Sequence, residues 1–314
     1  MKCICWIACL FTCLYATAQQ TETYYDYKWK PCDPLKARFY SVLQKTDSGW
    51  LRYDYFLAGL KLQMKALFAD STCKIHNGQS IFVYANGQVS SIGRQLYNKQ
   101  VGVCVSYHSN GMMSDSATYS YGKPVGNKMS WWPNGTLSDS IAHINDSMDV
   151  EVGWFDNGVP SQAGYLLNGN MHGKWKFYHR NGQLSAIENY DHGNALTKAW
   201  FKEDGSAQMD TSNTNKDAVF QKGVYDWVNW LSKKLFWPSG YQFSNGDQAV
   251  VVVAITLNED GKPENVEIAT PFHPAFDKIA LDVVRRSPNW NPRISHNRRV
   301  KSYFHQPVSF KQED

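Results

Sequence analysis

Along the middle of the chain, aromatic and polar residues alternate over short stretches that end in a glycine turn. In residues 173–182 (GKWKFYHRNG), Trp175 and Phe177 alternate with lysines, and this period of two is that of a half-buried β-strand. The Asn-Gly pair that ends the stretch favours a tight type I′ turn, in which both central residues have positive φ. Residues 183–187 (QLSAI) lead the chain back as the partner strand. The pattern therefore predicts a β-hairpin.

This hairpin pattern recurs at a nearly constant interval. Five Asn-Gly pairs and one Asp-Gly pair place their glycines 24, 24, 23, 24 and 23 residues apart. The turn glycines are Gly87, Gly111, Gly135, Gly158, Gly182 and Gly205. A weaker copy centres on Ala58-Gly59. Because an isolated hairpin is only marginally stable in water, each copy needs its neighbours. The repeats predict a stacked β-hairpin array over residues 50–210, and hence a mostly β protein.

The last third of the chain has a different pattern. A first amphipathic helix ends at Trp237-Pro238, and a β-branched run over residues 249–257 predicts a central strand that turns back into a second strand. A second amphipathic helix begins at Pro274, and a last strand runs from about residue 299 to residue 310. This order predicts a small α+β domain over residues 220–311, with two helices on a three-stranded antiparallel sheet.

The remaining mature segments are less regular. Residues 19–49 have no assigned fold, although residues 34–44 (PLKARFYSVLQ) suggest a short helix with Leu35, Phe39 and Leu43 on one face. The stretch from 210 to 217 (DTSNTNKD) is polar and turn-rich, and residues 211–219 are accordingly interpreted as a linker between the domains.

Residues 1–18 have the pattern of a cleavable signal peptide. Lys2 supplies a positive start, an apolar core follows, and Ala16-Thr17-Ala18 gives a small-x-small cleavage signal before Gln19. The apolar core is shorter than the roughly 20 residues of a membrane-spanning helix. We therefore predict an exported protein of the periplasm or cell envelope. The alternative is a segment that is retained as an inner-membrane anchor.

Charge and cysteine content limit the classes of partner. The net charge is only +4 and no run of five basic residues occurs, so nucleic-acid binding is not expected. Arg298, Arg299 and Lys301 are interpreted as a solvated strand end. The cysteines outside the signal segment are Cys32, Cys73 and Cys104. They permit one disulfide in an oxidising compartment.

The sequence also lacks the common motifs of enzymes and metal sites. It has no Gly-x-Ser-x-Gly elbow, no phosphate-binding loop and no His-Glu-x-x-His pattern. His172 and His179 flank an alternating strand and are interpreted as surface residues, whereas His192-Gly193 is interpreted as a turn. Cys104 is interpreted as a buried, inert thiol. No catalytic residue, cofactor or metal ion is therefore expected.

Two family resemblances add to this interpretation. The repeat pattern Gly-x-Trp-x-x-Tyr-x-x-Asn-Gly resembles the MORN-type repeat variant, which also occurs in proteins labelled YwqK-family antitoxins. The C-terminal region resembles the TonB C-terminal domain. Its matching landmarks are Trp237-Pro238, Asp260-Gly261, Asp277-x-x-Ala280, Ser287-Pro288-x-Trp290-x-Pro292 and Pro307-x-x-Phe310. The order and spacing of these landmarks make the second resemblance the more specific one.

The TonB resemblance implies a peptide-binding role in the periplasm. In that family an extended segment of an outer-membrane receptor adds as a strand to the sheet edge. Here the candidate edge is the last strand, with Val300, Tyr303 and His305 as contact residues, each of which alternatively completes the core. The resemblance also implies a possible part in TonB-dependent transmembrane transport. The alternative function is a repeat-based scaffold or antitoxin-like binding protein with no transport role. The sequence leaves the oligomeric state undetermined.

Overall fold

The computed structural model describes residues 20–211, 215–242 and 249–312. Most of the first range forms one antiparallel sheet of seventeen strands. These strands are β1 (Gln20–Tyr25), β2 (Phe39–Thr46), β3 (Gly49–Phe56), β4 (Lys61–Phe68), β5 (His76–Val83), β6 (Val89–Leu96), β7 (Lys99–Gln100), β8 (Gly102–Tyr107), β9 (Met113–Ser120), β10 (Lys123–Trp131), β11 (Leu137–Asn145), β12 (Met148–Trp154), β13 (Pro160–Leu167), β14 (Asn170–Tyr178), β15 (Leu184–Asp191), β16 (Asn194–Phe201) and β17 (Ala207–Gln208). Strands that are consecutive in sequence pair with each other, except that β7 and β8 both pair with β6. The predicted array of stacked β-hairpins is confirmed.

The sheet begins before the predicted start of the array. Strands β1 and β2 belong to the segment without an assigned fold, and the predicted helix over residues 34–44 is wrong. Only Pro34–Lys36 form a turn of 3-10 helix, and Phe39 already belongs to β2. The ring of Phe39 stacks on Trp29 at 3.9 Å and contacts Phe56 at 5.7 Å between centroids. These aromatic contacts between distant residues favour the strand over the local helical pattern.

The regularly spaced Asn-Gly turns differ from the predicted type I′ geometry. In the turn before β15, Gly182 has a φ of 88°, whereas Asn181 is not among the residues with positive φ. The Gly182 N–H donates to His179 O at 2.9 Å, and the ladder shifts register next to Tyr178. This geometry is a type I turn followed by a glycine bulge. The type I′ prediction for these turns is therefore wrong, although the positive φ of the bulge position still favours glycine there.

Turns with two positive φ angles lie between successive hairpins instead. They include Tyr121-Gly122, Asn168-Gly169 and His192-Gly193, with φ of 48° and 86°, 50° and 79°, and 49° and 86°. These values are those of type I′ loops, whose twist matches that of the flanking strands. The array therefore alternates two kinds of turn along the chain, of which only the kind at the six regularly spaced glycines was evident as a repeat in the sequence.

The asparagines of the Asn-Gly turns connect each hairpin to the next. The Asn181 Oδ1 accepts a hydrogen bond from Gln183 N at 3.0 Å, and its Nδ2 donates to Glu203 O at 2.8 Å. Equivalent 2.8 Å bonds join Asn86 to Ser109 O, Asn110 to Pro133 O and Asn134 to Asp156 O. An amide side chain can both accept and donate, which explains why asparagine recurs at these positions.

Replacement of Asn181 is expected to destabilise the array modestly. The Asn181→Ala variant loses both hydrogen bonds and should lower the free energy of unfolding by about 1–2 kcal/mol. The matched Asn181→Asp variant keeps the acceptor within the turn and loses only the donor to Glu203 O. It should therefore lose less. Urea titration followed by tryptophan fluorescence measures both changes, and an Asn181→Asp variant as stable as the wild type would contradict the bond between repeats.

The C-terminal region forms the predicted α+β domain. Its elements are α1 (Val224–Lys234), β18 (Ala249–Leu257), β19 (Pro263–Thr270), α2 (Pro274–Arg285), β20 (Arg293–Ser295), β21 (Arg298–Val300) and β22 (Ser302–Phe310). The sheet order is β19-β18-β22, and both pairings are antiparallel. Val251, Val253 and Ile255 of β18 are fully buried in one core with Phe276 and Ala280 of α2. Two helices on a three-stranded antiparallel sheet are therefore confirmed.

The last predicted strand is two separate elements. Residues 298–300 pair with β20 in a short hairpin, and only β22 joins the main sheet. The break falls at Lys301, whose ammonium lies 2.8 Å from carboxylate oxygens of both Asp156 and Glu264. These ion pairs to two different parts of the molecule hold the chain where it passes from the hairpin into the sheet.

Two other sequence expectations concern the N-terminal segment and the cysteines. The predicted signal peptide, residues 1–18, lies outside the described residues. Within the described ranges, no helix is both long and apolar enough to cross a membrane. Cys32, Cys73 and Cys104 are free thiols, so the disulfide that the sequence permitted is not formed.

Candidate functional site

The C-terminal sheet has one open edge. Its central strand is β18, so β19 and β22 are the two edge strands. Strand β19 contacts both α2 and the array, because Arg285 Nη2 donates to Val266 O at 3.0 Å and Ser109 Oγ donates to the carboxylate of Glu267 at 2.6 Å. On β22, by contrast, alternate side chains are exposed to solvent. They are Tyr303, His305, Pro307 and Ser309.

Pro307 indicates which backbone groups face this open edge. Proline has no N–H, and within sheets it is found where that N–H would point away from the neighbouring strand. Pro307 lies opposite Val252 in the β18–β22 ladder. Successive residues of a strand alternate in direction. Tyr303 and His305, which share the odd register of Pro307, therefore direct their backbone N–H and C=O groups outward.

Tyr303 and His305 form a polar pair at this edge. Tyr303 is 61% exposed, and its hydroxyl lies 2.9 Å from His305 Nε2. The two rings are 5.3 Å apart at 73°. Partial burial lowers the pKa of His305, which favours the neutral ring at pH 7. The pair presents two aromatic rings and a hydrogen-bonding group beside the outward backbone.

Val300 lies elsewhere. It belongs to β21 and pairs with Arg293, not with the main sheet. The structure therefore brings Tyr303 and His305 together on β22 and leaves Val300 in the neighbouring hairpin. The prediction failed for Val300 because the alternation of residues continues across the break at Lys301 and conceals it.

The TonB-like landmarks lie in the core and in the loops that frame it. The Asp277 carboxylate accepts from Phe272 N at 2.9 Å and thereby orders the loop before α2. Ala280 is fully buried against the sheet. Trp290 is also buried, and its backbone N–H donates to Gly261 O at 2.8 Å. The half-buried landmarks on either side of Trp290 are Pro288 and Pro292. These residues maintain the fold and take no part in the open edge.

The C-terminal domain is attached to the array through the hairpin of residues 293–300, which we term the docking hairpin. At its tip, the His296 ring stacks on Phe177 with 3.7 Å between centroids and 3° between planes. Asn297 Nδ2 donates to Phe201 O at 2.8 Å and to Ser185 O at 3.2 Å. The tip thus contacts the array at strands β14 to β16.

Arg298 is the most deeply inserted cation of the docking hairpin. Its side chain is buried, so the prediction that it is a solvated strand end is wrong. The guanidinium donates to Ser161 O, to Tyr178 O at 3.2 Å and to Gln162 Oε1 at 2.9 Å. It also lies 5.5 Å from the centroid of the Phe155 ring. Burial lowers the pKa of Arg298 to about 10, so the group remains protonated at pH 7.

A second series of side-chain hydrogen bonds joins neighbouring hairpins, and Arg298 lies where one member of that series is missing. In four repeats, the side chain of the residue that begins the turn forms a hydrogen bond with a backbone carbonyl of the next hairpin. These contacts are Tyr84 to Tyr107 O, His108 to Trp131 O, Trp132 to Trp154 O and His179 to Phe201 O. Phe155 occupies the same position, but its side chain has no polar atom. The corresponding carbonyl, Tyr178 O, accepts instead from Arg298.

The same series of hydrogen bonds includes His179, whose predicted surface position is wrong. This residue was expected at the surface, but it is buried, with 6% of its area exposed. Its Nε2 lies 2.9 Å from Phe201 O. An imidazole at this position fills the aromatic layer and still satisfies a carbonyl, as the tyrosine and tryptophan of the other repeats do.

A buried carboxylate completes the contact between the array and the docking hairpin. Glu188 is 2% exposed and accepts hydrogen bonds from Trp200 Nε1 at 2.9 Å and from the Tyr190 hydroxyl. His296 Nδ1 lies 3.0 Å from Glu188 Oε2, the oxygen that also accepts from Tyr190. Burial alone would raise the pKa of Glu188, but the hydrogen bonds from His296, Tyr190 and Trp200 lower it to about 2. The carboxylate is therefore ionised at neutral pH.

A cavity of about 740 Å³ lies at a different contact between the array and the C-terminal domain. On one side it is lined by array turns, including Tyr84 and Ser109, and on the other by Phe272 and Leu281 of the C-terminal domain. Its lining is mostly apolar. The cavity therefore belongs to the contact between the two units, and partial burial, together with Tyr84 and Glu267 of the cavity lining, raises the pKa of Tyr303.

These features define a class of protein: a β-hairpin repeat array on which a small α+β domain with one open sheet edge is docked. Residues 243–312 match the family model of the Gram-negative bacterial TonB protein C-terminal, and residues 171–192 match the MORN repeat variant. Both predicted resemblances are confirmed. No curated protein matches the chain. The TonB match indicates a protein-interaction module of the cell envelope, from a family of non-catalytic domains.

Proposed function

We propose that this chain is an exported envelope protein that binds an extended peptide of an outer-membrane receptor along β22. The observation that carries this proposal is the open edge, where the odd register at Tyr303 and His305 directs backbone groups outward. A peptide strand that pairs there gains main-chain hydrogen bonds, and the exposed rings supply selectivity. The available stretch ends at Pro307, which offers no N–H to a partner.

The array serves in this proposal as a rigid support for the binding domain. The docking hairpin fixes the domain through Arg298, Asn297 and His296, each of which contacts backbone or aromatic groups of the array. A domain held in this way presents the β22 edge in one orientation. The protein then binds without coupling to the proton gradient, and its signal segment is removed on export.

Removal of a single outward N–H tests the proposal. We expect Tyr303→Pro to weaken binding of a receptor at least about tenfold, because the added strand loses a backbone hydrogen bond and meets the proline ring. The full chain is immobilised and exposed to an envelope extract. Retained proteins are identified by mass spectrometry, and the affinity for each enriched receptor is then measured.

Tyr303→Ala is the matched control, since it removes the same ring and keeps the N–H. A receptor that is retained by the wild type, bound more weakly by Tyr303→Ala and lost by Tyr303→Pro supports strand addition. Equal retention of the same partner by all three proteins would contradict it. That outcome would favour the alternative function, in which the array surface is the binding site.

A further inference from the structure

The turn at the end of the MORN repeat match brings two imidazoles and a carboxylate together. His172 lies on β14, Asp191 ends β15, and His192 is the first residue of the following turn. One ligand-type atom from each residue lies within 4.8 Å of the others. From this cluster we infer a binding site for a divalent transition-metal ion, for which Zn²⁺ is the probe.

The distances between these atoms are close to those of a metal site. His172 Nδ1 is 3.5 Å from Asp191 Oδ1, and His192 Nδ1 is 2.6 Å from the same oxygen. Ligand atoms at about 2.0–2.2 Å from Zn²⁺ in tetrahedral geometry lie about 3.3–3.5 Å apart. The first distance fits directly. The second is a hydrogen bond that opens by less than about 1 Å when both atoms ligate a metal.

His172 supplies an independent observation. Its Nδ1 is shielded from solvent and has no hydrogen-bond partner within the described part of the chain. A buried imidazole nitrogen without a partner is uncommon, because its desolvation is then uncompensated. Asp191 is too distant for a good hydrogen bond to this atom, and a metal ion between the two residues satisfies both.

The local backbone holds the three residues in place without the metal. His192 and Gly193 have φ of 49° and 86°, and Gly193 N donates to Met171 O at 2.8 Å. This turn therefore ties β15 to the strand that carries His172. Two neutral imidazoles and one carboxylate suit Zn²⁺, Cu²⁺ or Ni²⁺ better than Mg²⁺ or Ca²⁺. The remaining coordination positions are left to water or to a ligand from a partner.

Titration with Zn²⁺ tests the site. The full chain is purified without a histidine tag, its thiols are alkylated, and binding is measured by calorimetry and by the rise in Tm. We expect a single saturable site in the wild type, and at least a tenfold loss of affinity in His172→Gln and in His192→Gln. Metal that binds only the folded protein stabilises it by RT ln(1 + L/Kd), where L is the free Zn²⁺ concentration, so the rise in Tm should shrink in both variants as their affinity falls.

His143→Gln is the matched control. His143 also pairs with a carboxylate, that of Asp149, but without a second histidine in the same group. This variant should bind Zn²⁺ as the wild type does. The inference is overturned if the wild type shows no saturable site, or if His172→Gln and His192→Gln bind as tightly as His143→Gln.

Discussion

Replacement of Arg298 by alanine is expected to lower the free energy of unfolding by about 2–4 kcal/mol and to loosen the C-terminal domain from the array. The substitution removes the donor to Ser161 O and Tyr178 O, both of which lie in the interface. A hydrogen bond from a charged donor contributes about 1.5–3 kcal/mol. Urea denaturation measures the stability, and limited proteolysis of residues 211–219 reports release of the domain.

Arg299→Ala is the matched control for this prediction. Arg299 is the next residue in the same strand, but its side chain is 58% exposed and lies 3.5 Å from the exposed carboxylate of Asp260. An exposed ion pair of this kind contributes little, so the change should stay within about 0.5 kcal/mol. If Arg298→Ala is no more destabilising than Arg299→Ala, the docking hairpin does not hold the domain.

The array could be predicted from the sequence because its determinants are local. The alternation of Trp175 and Phe177 and the regular spacing of the turn glycines both arise within single hairpins. The α+β domain could be predicted equally well, since each helix and strand has its own periodic pattern of hydrophobic residues. The TonB resemblance proposed the last strand as the binding edge, and β22 lies at an edge of the sheet.

The failures all depend on contacts between distant residues. The segment from Phe39 onward becomes a strand because Trp29 and Phe56 pack on its ring. Arg298 is buried where it donates to Tyr178 O, a carbonyl 120 positions away to which the side chain of Phe155 offers no donor. No local sequence pattern reveals this contact. A charged residue beside other charged residues is usually solvated, so the sequence favoured the wrong environment for it.

The turn type failed for a related reason. Asn-Gly favours type I′ geometry when only the two strands of one hairpin are considered. In the array, however, the asparagine of one turn also donates to a carbonyl of the next hairpin, as Asn134 does to Asp156 O. The bulged turn with a single positive φ at glycine accommodates both bonds. This preference belongs to the stack, not to the isolated hairpin.

Acid is expected to weaken the same interface through Glu188. The pKa of this carboxyl group is about 2 in the folded protein, below its ordinary value of 4.5, so folding favours the ionised form. Its contribution is therefore complete above pH 4.5 and is lost as the pH falls toward 2. A depression of this size corresponds to about 3 kcal/mol of stability at neutral pH. Unfolding free energies measured at several pH values from 7 down to 2 follow the loss.

Glu188→Gln isolates this contribution from the titration of other carboxylates. The amide keeps the shape of the side chain but lacks the charge that His296, Tyr190 and Trp200 surround, so the variant should be about 2–3 kcal/mol less stable than the wild type at pH 7. That difference should close as the pH falls from 4.5 to 2, whereas the exposed control Glu203→Gln should match the wild type throughout. A difference that persists unchanged at pH 2 would mean that Glu188 stabilises the interface by its shape and neutral hydrogen bonds, and not by its charge.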